Sequence, residues 1–208
     1  MRVLAIECAT EACSAALLED GLLVDGRYEI LGRGHAERLV PMIAELPGKG
    51  RAERILVSLG PGSFTGVRIG LAAARALGLA WRAEVLGYPT LALVAAMARE
   101  SHSGDVTVCM TGGHGEWFLQ HFRSDGLPYW AAQSMTPIAA ANSSPHAILA
   151  GSQAEALAEL DDSSDFTAVL DILPDARQFA SLSSELLTAD LSPIYGRAPD
   201  ARLPGVRP

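Results

Sequence analysis

The segment with most chemical promise is the glycine-rich loop at residues 60–66, Gly60-Pro61-Gly62-Ser63-Phe64-Thr65-Gly66, between a branched apolar run and a long helical pattern. Gly-rich turns at that junction present backbone N–H groups to phosphates in several folds. The loop matches none of the familiar versions. A phosphate-binding P-loop requires a lysine after its last glycine, and Val67 stands there. The dinucleotide fingerprint requires a third glycine where Thr65 stands. A nucleophile elbow requires glycines two residues either side of the serine, and Ser63 has Pro61 and Thr65 there. A tight strand-to-helix turn remains, with Ser63 or Thr65 available to cap the helix. Packing is the favoured reason for the loop. Anion or nucleotide binding is the second reading, with Glu7, Thr10, Gly62, Ser63, Thr65 and Gly66 as its candidate residues.

Glu7 ends the first strand, where acids of phosphate-handling α/β folds reach a metal or water. A buried glutamate satisfied by its own turn fits equally well. At the matching place in the second half stand Thr111, Gly112 and Gly113, so a two-carboxylate nucleotide site lacks one member. His35 opens a helix, but position 39 is Leu39, so no i, i+4 pair of metal ligands exists. His102, His114, His121 and His146 are scattered along the chain. No catalytic residue, metal or cofactor is assigned.

The elements that must position these residues follow from periodicity. Short apolar runs at 3–6, 13–18, 22–28 and 55–59 read as strands, the second and third joined by an Asp-Gly turn at Asp20-Gly21. Leu39, Met42, Ile43 and Leu46 give helical spacing over 35–46. Residues 67–79 form a long helix, 84–87 a fifth strand, and 91–99 a helix capped by Thr90. The second half repeats strand–turn–strand at 106–110 and 116–122. Strands at 127–133, 147–150 and 166–170 and helices at 153–160 and 178–187 complete it, followed by an irregular tail from 192. The pattern predicts a duplicated α/β unit, with lobes at 1–104 and 105–208.

Gly62, Gly66, Gly70, Ala74 and Gly78 recur every four residues, and from Gly66 onward they fall on one face of the long helix. Glycine costs ~1 kcal/mol against alanine inside a helix, so Gly70 and Gly78 imply close approach of another backbone. That neighbour is either the chain's own sheet or a helix of another subunit. Leu71, Ala72, Arg75 and Leu79 lie off the stripe and are free for a second neighbour.

Bulk properties narrow the classes. The chain has 208 residues, 49% of them hydrophobic, and a formal net charge of −8 with Lys49 its only lysine. Such acidity disfavours direct binding to a phosphate backbone. Three cysteines, Cys8, Cys13 and Cys109, suit free thiols in a reducing cytosol better than a disulfide framework. Neither a signal peptide nor a membrane span is legible. The expectation is a cytoplasmic protein.

Three segments together resemble the TsaB (YeaZ) family. They are Ile6-Glu7-Cys8-Ala9-Thr10-Glu11-Ala12-Cys13-Ser14, His35-Ala36-Glu37-Arg38-Leu39-Val40-Pro41, and Gly60 through Gly70. The tail Pro193-Ile194-Tyr195-Gly196-Arg197 is similar to the family's closing segment. The resemblance implies an actin-like ATPase (sugar kinase/Hsp70) fold of two related lobes. It implies a non-catalytic dimerisation subunit for TsaD, which transfers threonylcarbamoyl onto tRNA adenosine with help from the TsaE-type ATPase. Contact with tRNA is then indirect, and the chain alone is a homodimer. The resemblance places the subunit interface on the two helices that carry His35, Arg38, Leu39 and Met42, and Val67, Gly70, Leu71, Ala74 and Gly78. Departures are Glu7-Cys8 where Asp-Thr is usual, Thr111-Gly112-Gly113 where Asp-Ala-Arg is common, and a short connection over 47–54. A stand-alone actin-like kinase or ATPase, or a glycoprotease-type peptidase, are the competing readings.

Overall fold

The computed structural model describes residues 1–143, 145–161 and 165–196. Two five-stranded sheets stand end to end in sequence. The first contains β1 (Arg2–Glu7), β2 (Ala12–Glu19), β3 (Leu22–Ile30), β4 (Arg54–Ser58) and β5 (Glu84–Tyr88), in the order β3-β2-β1-β4-β5. The hairpin strands are antiparallel, and β1, β4 and β5 run parallel. The second contains β6 (Val106–Thr111), β7 (Trp117–Phe122), β8 (Gln133–Met135), β9 (Ile148–Ala150) and β10 (Ala168–Leu170), in the order β10-β9-β6-β7-β8. A meander followed by parallel crossovers, made twice, is the duplicated α/β unit that the pattern predicts and the actin-like ATPase arrangement that the resemblance implies.

β1 and β2 are buried on both faces, and their alternation sorts residues to two cores. Leu4, Ile6, Cys8, Cys13, Ala15, Leu17, Ile55 and Val57 face α1 (His35–Ala44) and α2 (Phe64–Trp81). Ala5, Ala16, Leu18, Leu56 and Tyr88 face α3 (Thr90–Arg99) and join Val106, Val108 and Phe122 of the second sheet. α3 is thus shared between the sheets, and its residues 90–96 are all buried. After β10 the chain returns to the first sheet. Phe179 meets Tyr88 edge-on with ring centroids 5.1 Å apart, and Ala176 N donates to Ser14 Oγ at 2.9 Å. Thr188 pairs with Gly87, and Ile194 N donates to Leu59 O at 2.8 Å.

Several elements differ from their sequence expectation. The helix expected at 67–79 begins three residues earlier, because Ser63 Oγ accepts Gly66 N at 3.2 Å and caps it there. α3 is entered through Pro89, and Thr90 is its first residue instead of its cap. The strand expected at 127–133 does not form. Pro128, which has no N–H for a ladder, makes only a single bridge to Phe122, and the ladder to β7 resumes at Gln133–Met135. The helix expected at 178–187 is two short 3-10 turns, Ala176–Ser181 and Ser184–Leu186. Asp175 and Ser183 each cap a new start, and extended Leu182 separates them. α4 (Pro137–Ala141) was not foreseen, although Thr136-Pro137 is a helix-start signal and Thr136 does accept Ala139 N. Arg197 of the tail motif lies outside the described residues.

Candidate functional site

A cleft of about 1220 Å³ opens between the turn ends of the two sheets. One wall is the 9–12 turn, the start of α1 and the 62–66 loop; the other is Thr111–Gly113, Phe118 and Ser152, with Tyr195 at the rim. The loops approach closely enough to demand glycine. A Cβ on Gly66 would overlap the Cys8 carbonyl oxygen, and one on Gly62 would overlap that of Ala9. Ser63 N donates to the same Ala9 oxygen at 2.6 Å. At the rim the Arg68 guanidinium lies 3.3 Å from the Phe64 ring centroid and donates to Tyr195 Oη at 3.0 Å.

Of the residues assigned to an anion or nucleotide loop, Thr10, Gly62, Ser63, Thr65 and Gly66 do line this cleft. Glu7 does not. Its side chain points to the α3 side of β1, where Oε1 accepts Ala9 N at 2.7 Å and Oε2 accepts Tyr88 Oη at 3.4 Å. Complete burial pushes its carboxyl up to about 7, against the pull of those hydrogen bonds. Glu7 is therefore a core group that ties the turn to the sheet, held there by Ala9 N and the Tyr88 hydroxyl.

His35 is buried, and its Nε2 donates to Thr10 O at 2.9 Å and Ala12 O at 3.3 Å. It pins the first turn of α1 to the 9–12 turn. Among the other histidines, His121 and His146 meet across 5.1 Å, their rings at right angles, beside Trp130. No group of three or more His, Cys, Asp or Glu spaced for a metal occurs among the described residues.

The interface assignment needs correction at most of its residues. Leu39, Met42, Val67, Gly70, Leu71, Ala74 and Gly78 all pack inside their own lobe. A Cβ on Gly70 would sit 3.4 Å from Val57 Cγ2 and 3.6 Å from Cys8 Cβ, and one on Gly78 would overlap Val85 Cγ2. The small-residue stripe lets α2 lie close on its own sheet, which was one of the two neighbours the sequence left open. Arg38 is bound within the chain as well, chelating Glu29 and reaching Glu45 at 2.7 Å. What α1 and α2 present outward is the opposite face. Ala36, Val40 and Ala44 are exposed on α1, and Ala72, Ala76, Leu79 and Ala80 on α2, with Val40 at 53% and Leu79 at 85% of full exposure. The signal for this face was the off-stripe set that includes Ala72 and Leu79.

Known proteins match on several levels. The model of the family described as "TsaD: tRNA N6-adenosine threonylcarbamoyltransferase" matches residues 29–177. The Escherichia coli tRNA threonylcarbamoyladenosine biosynthesis protein TsaB is 37% identical over 136 residues, 62% of this chain and 58% of that protein. Its Haemophilus influenzae counterpart is 34% identical over 113 residues, 52% of this chain and 48% of that one. The chain thus spans about half the length of these curated relatives. YeaZ from Pseudomonas aeruginosa superposes with a TM-score of 0.78 at 29% identity, covering 93% of this chain and 99% of that one. The chain belongs to the TsaD family, on its TsaB (YeaZ) branch.

Proposed function

We propose that this chain serves tRNA threonylcarbamoyladenosine formation as a non-catalytic subunit that pairs with a TsaD-type catalytic paralogue through the outward face of α1 and α2. The observation that carries the reading is that face: a layer of alanines with Val40 and Leu79 standing out of it, whereas the next helix, α3, is committed to the core. Alanines at i, i+4 and i+8 let a second pair of helices approach closely, while Leu79 and Val40 supply apolar area that gains from being covered. The TsaB name of the matched relatives supports the pathway. The cleft supports a non-catalytic role. Its Ser63 Oγ accepts the cap hydrogen bond from Gly66 N, no base is bonded to that hydroxyl among the described residues, and Glu7, the acid at the strand end, is turned away from it. A TsaE-type ATPase joins through the complex, and the net charge of −8 leaves tRNA to the partner. In the absence of TsaD the same face closes on a second copy of the chain.

Leu79→Asp tests this. The variant should fold, with a circular dichroism melt within a few degrees of the parent, because the side chain touches solvent. It should elute as a monomer and fail to co-purify with a TsaD-type partner, and a reconstituted threonylcarbamoylation assay should lose activity. Unimpaired co-purification of a folded Leu79→Asp protein removes the assignment.

A further inference from the structure

Two thiols that the pairing role leaves unused face each other inside the first sheet. The β1–β2 ladder ends on the pair Glu7 and Ser14, so one further step sets Cys8 opposite Cys13. Both project to the α1/α2 side, and their sulfurs are 3.6 Å apart. Opposed residues of an antiparallel pair hold their Cα atoms ~4.5–5.5 Å apart, inside the ~4.4–6.8 Å that a disulfide spans. Closing the present 3.6 Å to a bonded ~2.05 Å asks for about 1.5 Å of combined movement. The four residues 9–12 form the turn between them, and Ala9, Thr10 and Glu11 are cleft wall. Neither sulfur is exposed, so an oxidant must be about the size of water and enter as that turn opens. The third thiol, Cys109, lies in a separate core on β6.

We propose that Cys8 and Cys13 are an oxidisable pair that takes hydrogen peroxide as its substrate and closes to an intrachain disulfide. The Cys13 sulfur attacks one peroxide oxygen, the O–O bond breaks, and Cys13 becomes a sulfenic acid with release of one water. The Cys8 sulfur then attacks the Cys13 sulfur and expels the hydroxyl, which leaves as a second water with the Cys8 proton. Two thiols are oxidised, one peroxide is reduced to two waters, and a thiol reductant reverses the change. The order follows from the hydrogen bond between the sulfurs. It lowers the Cys13 thiol and raises that of Cys8, which burial raises further.

The 9–12 turn cannot move alone. Thr10 and Ala12 carbonyls hold His35 at the start of α1, and the Ala9 carbonyl holds Ser63 at the start of α2. Closure of the disulfide therefore acts on the first turns of both helices. The inference goes beyond the pairing role and does not depend on it, because its readout is thiol chemistry.

Full-length protein is treated with a few-fold excess of hydrogen peroxide, unfolded in N-ethylmaleimide and weighed intact. Maleimide adducts should fall from the three that the cysteine count gives to one. The tryptic fragment 3–27, which holds both residues, should then carry no maleimide and weigh about 2 Da less than its unlabelled dithiol form, by loss of two hydrogens. Dithiothreitol should restore all three adducts, and Cys109→Ser should fall from two adducts to none. Three adducts after oxidation, oxygen added to a thiol without the 2 Da loss, or a disulfide between two chains would each overturn the proposal.

Discussion

Glu7 is sealed at the end of β1, and its carboxyl is worth following as pH changes. Its ordinary value of 4.5 is raised to about 7 in the fold, chiefly by loss of solvent. The native state therefore holds this proton more tightly than the unfolded chain does. Its contribution to stability is complete below about pH 4.5, declines as pH rises and is gone above about pH 7. At ~1.4 kcal/mol per pKa unit, the loss across that window is on the order of 3 kcal/mol. Urea unfolding at steps between pH 5 and pH 8 should show this decline in the parent, and Glu7→Gln should flatten it. A parent curve that rises across that range would contradict the burial argument. The strand period left Glu7 ambiguous between cleft and core, because its own position at a strand end suits both. The hydroxyl of Tyr88, far away in sequence, decides it, and no local pattern announces that partner.

At the scale of elements, α2 separates two kinds of small residue. Gly66 faces the Cys8 carbonyl, whereas Ala72 faces solvent. Helix propensity alone favours alanine over glycine by ~1 kcal/mol at either position. Gly66→Ala should nevertheless destabilise by about 3 kcal/mol or more, because the overlap is with backbone that cannot turn aside. Ala72→Gly should cost about 1 kcal/mol, the propensity term alone. Chemical denaturation of the two variants measures both, and Gly66→Ala at parental stability would refute the close approach. The four-residue repeat that betrays this packing was legible in the sequence, and so were β1 to β5 and the helices around them. Which side of α2 faced outward was not, since a small-residue stripe suits a sheet and a partner helix alike. Elements of the second half were less legible for another reason. β8, β9 and β10 are three residues each, too short for a period to establish itself. The single helix expected at 178–187 fails because Asp175 and Ser183 make local hydrogen bonds that restart the turn twice.

At the scale of the whole molecule, the last described segment fastens the second half of the chain to the first sheet. Phe179 packs on Tyr88, and Leu182 fills the same core. Phe179→Ala should cost about 3–5 kcal/mol and lower the melting temperature by roughly 10 °C, read by calorimetry as one transition. Two separate transitions would show that the sheets unfold independently. They should not, because α3 has no wet side: residues 90–96 are buried between both sheets and belong to one continuous core. Other two-lobed folds open and shut by rotating about a connection that is free to bend. Here any such rotation would have to pull apolar side chains into water along the full length of the shared helix. The two sheets consequently keep their spacing across α3, and a partner would receive them as a stiff bracket.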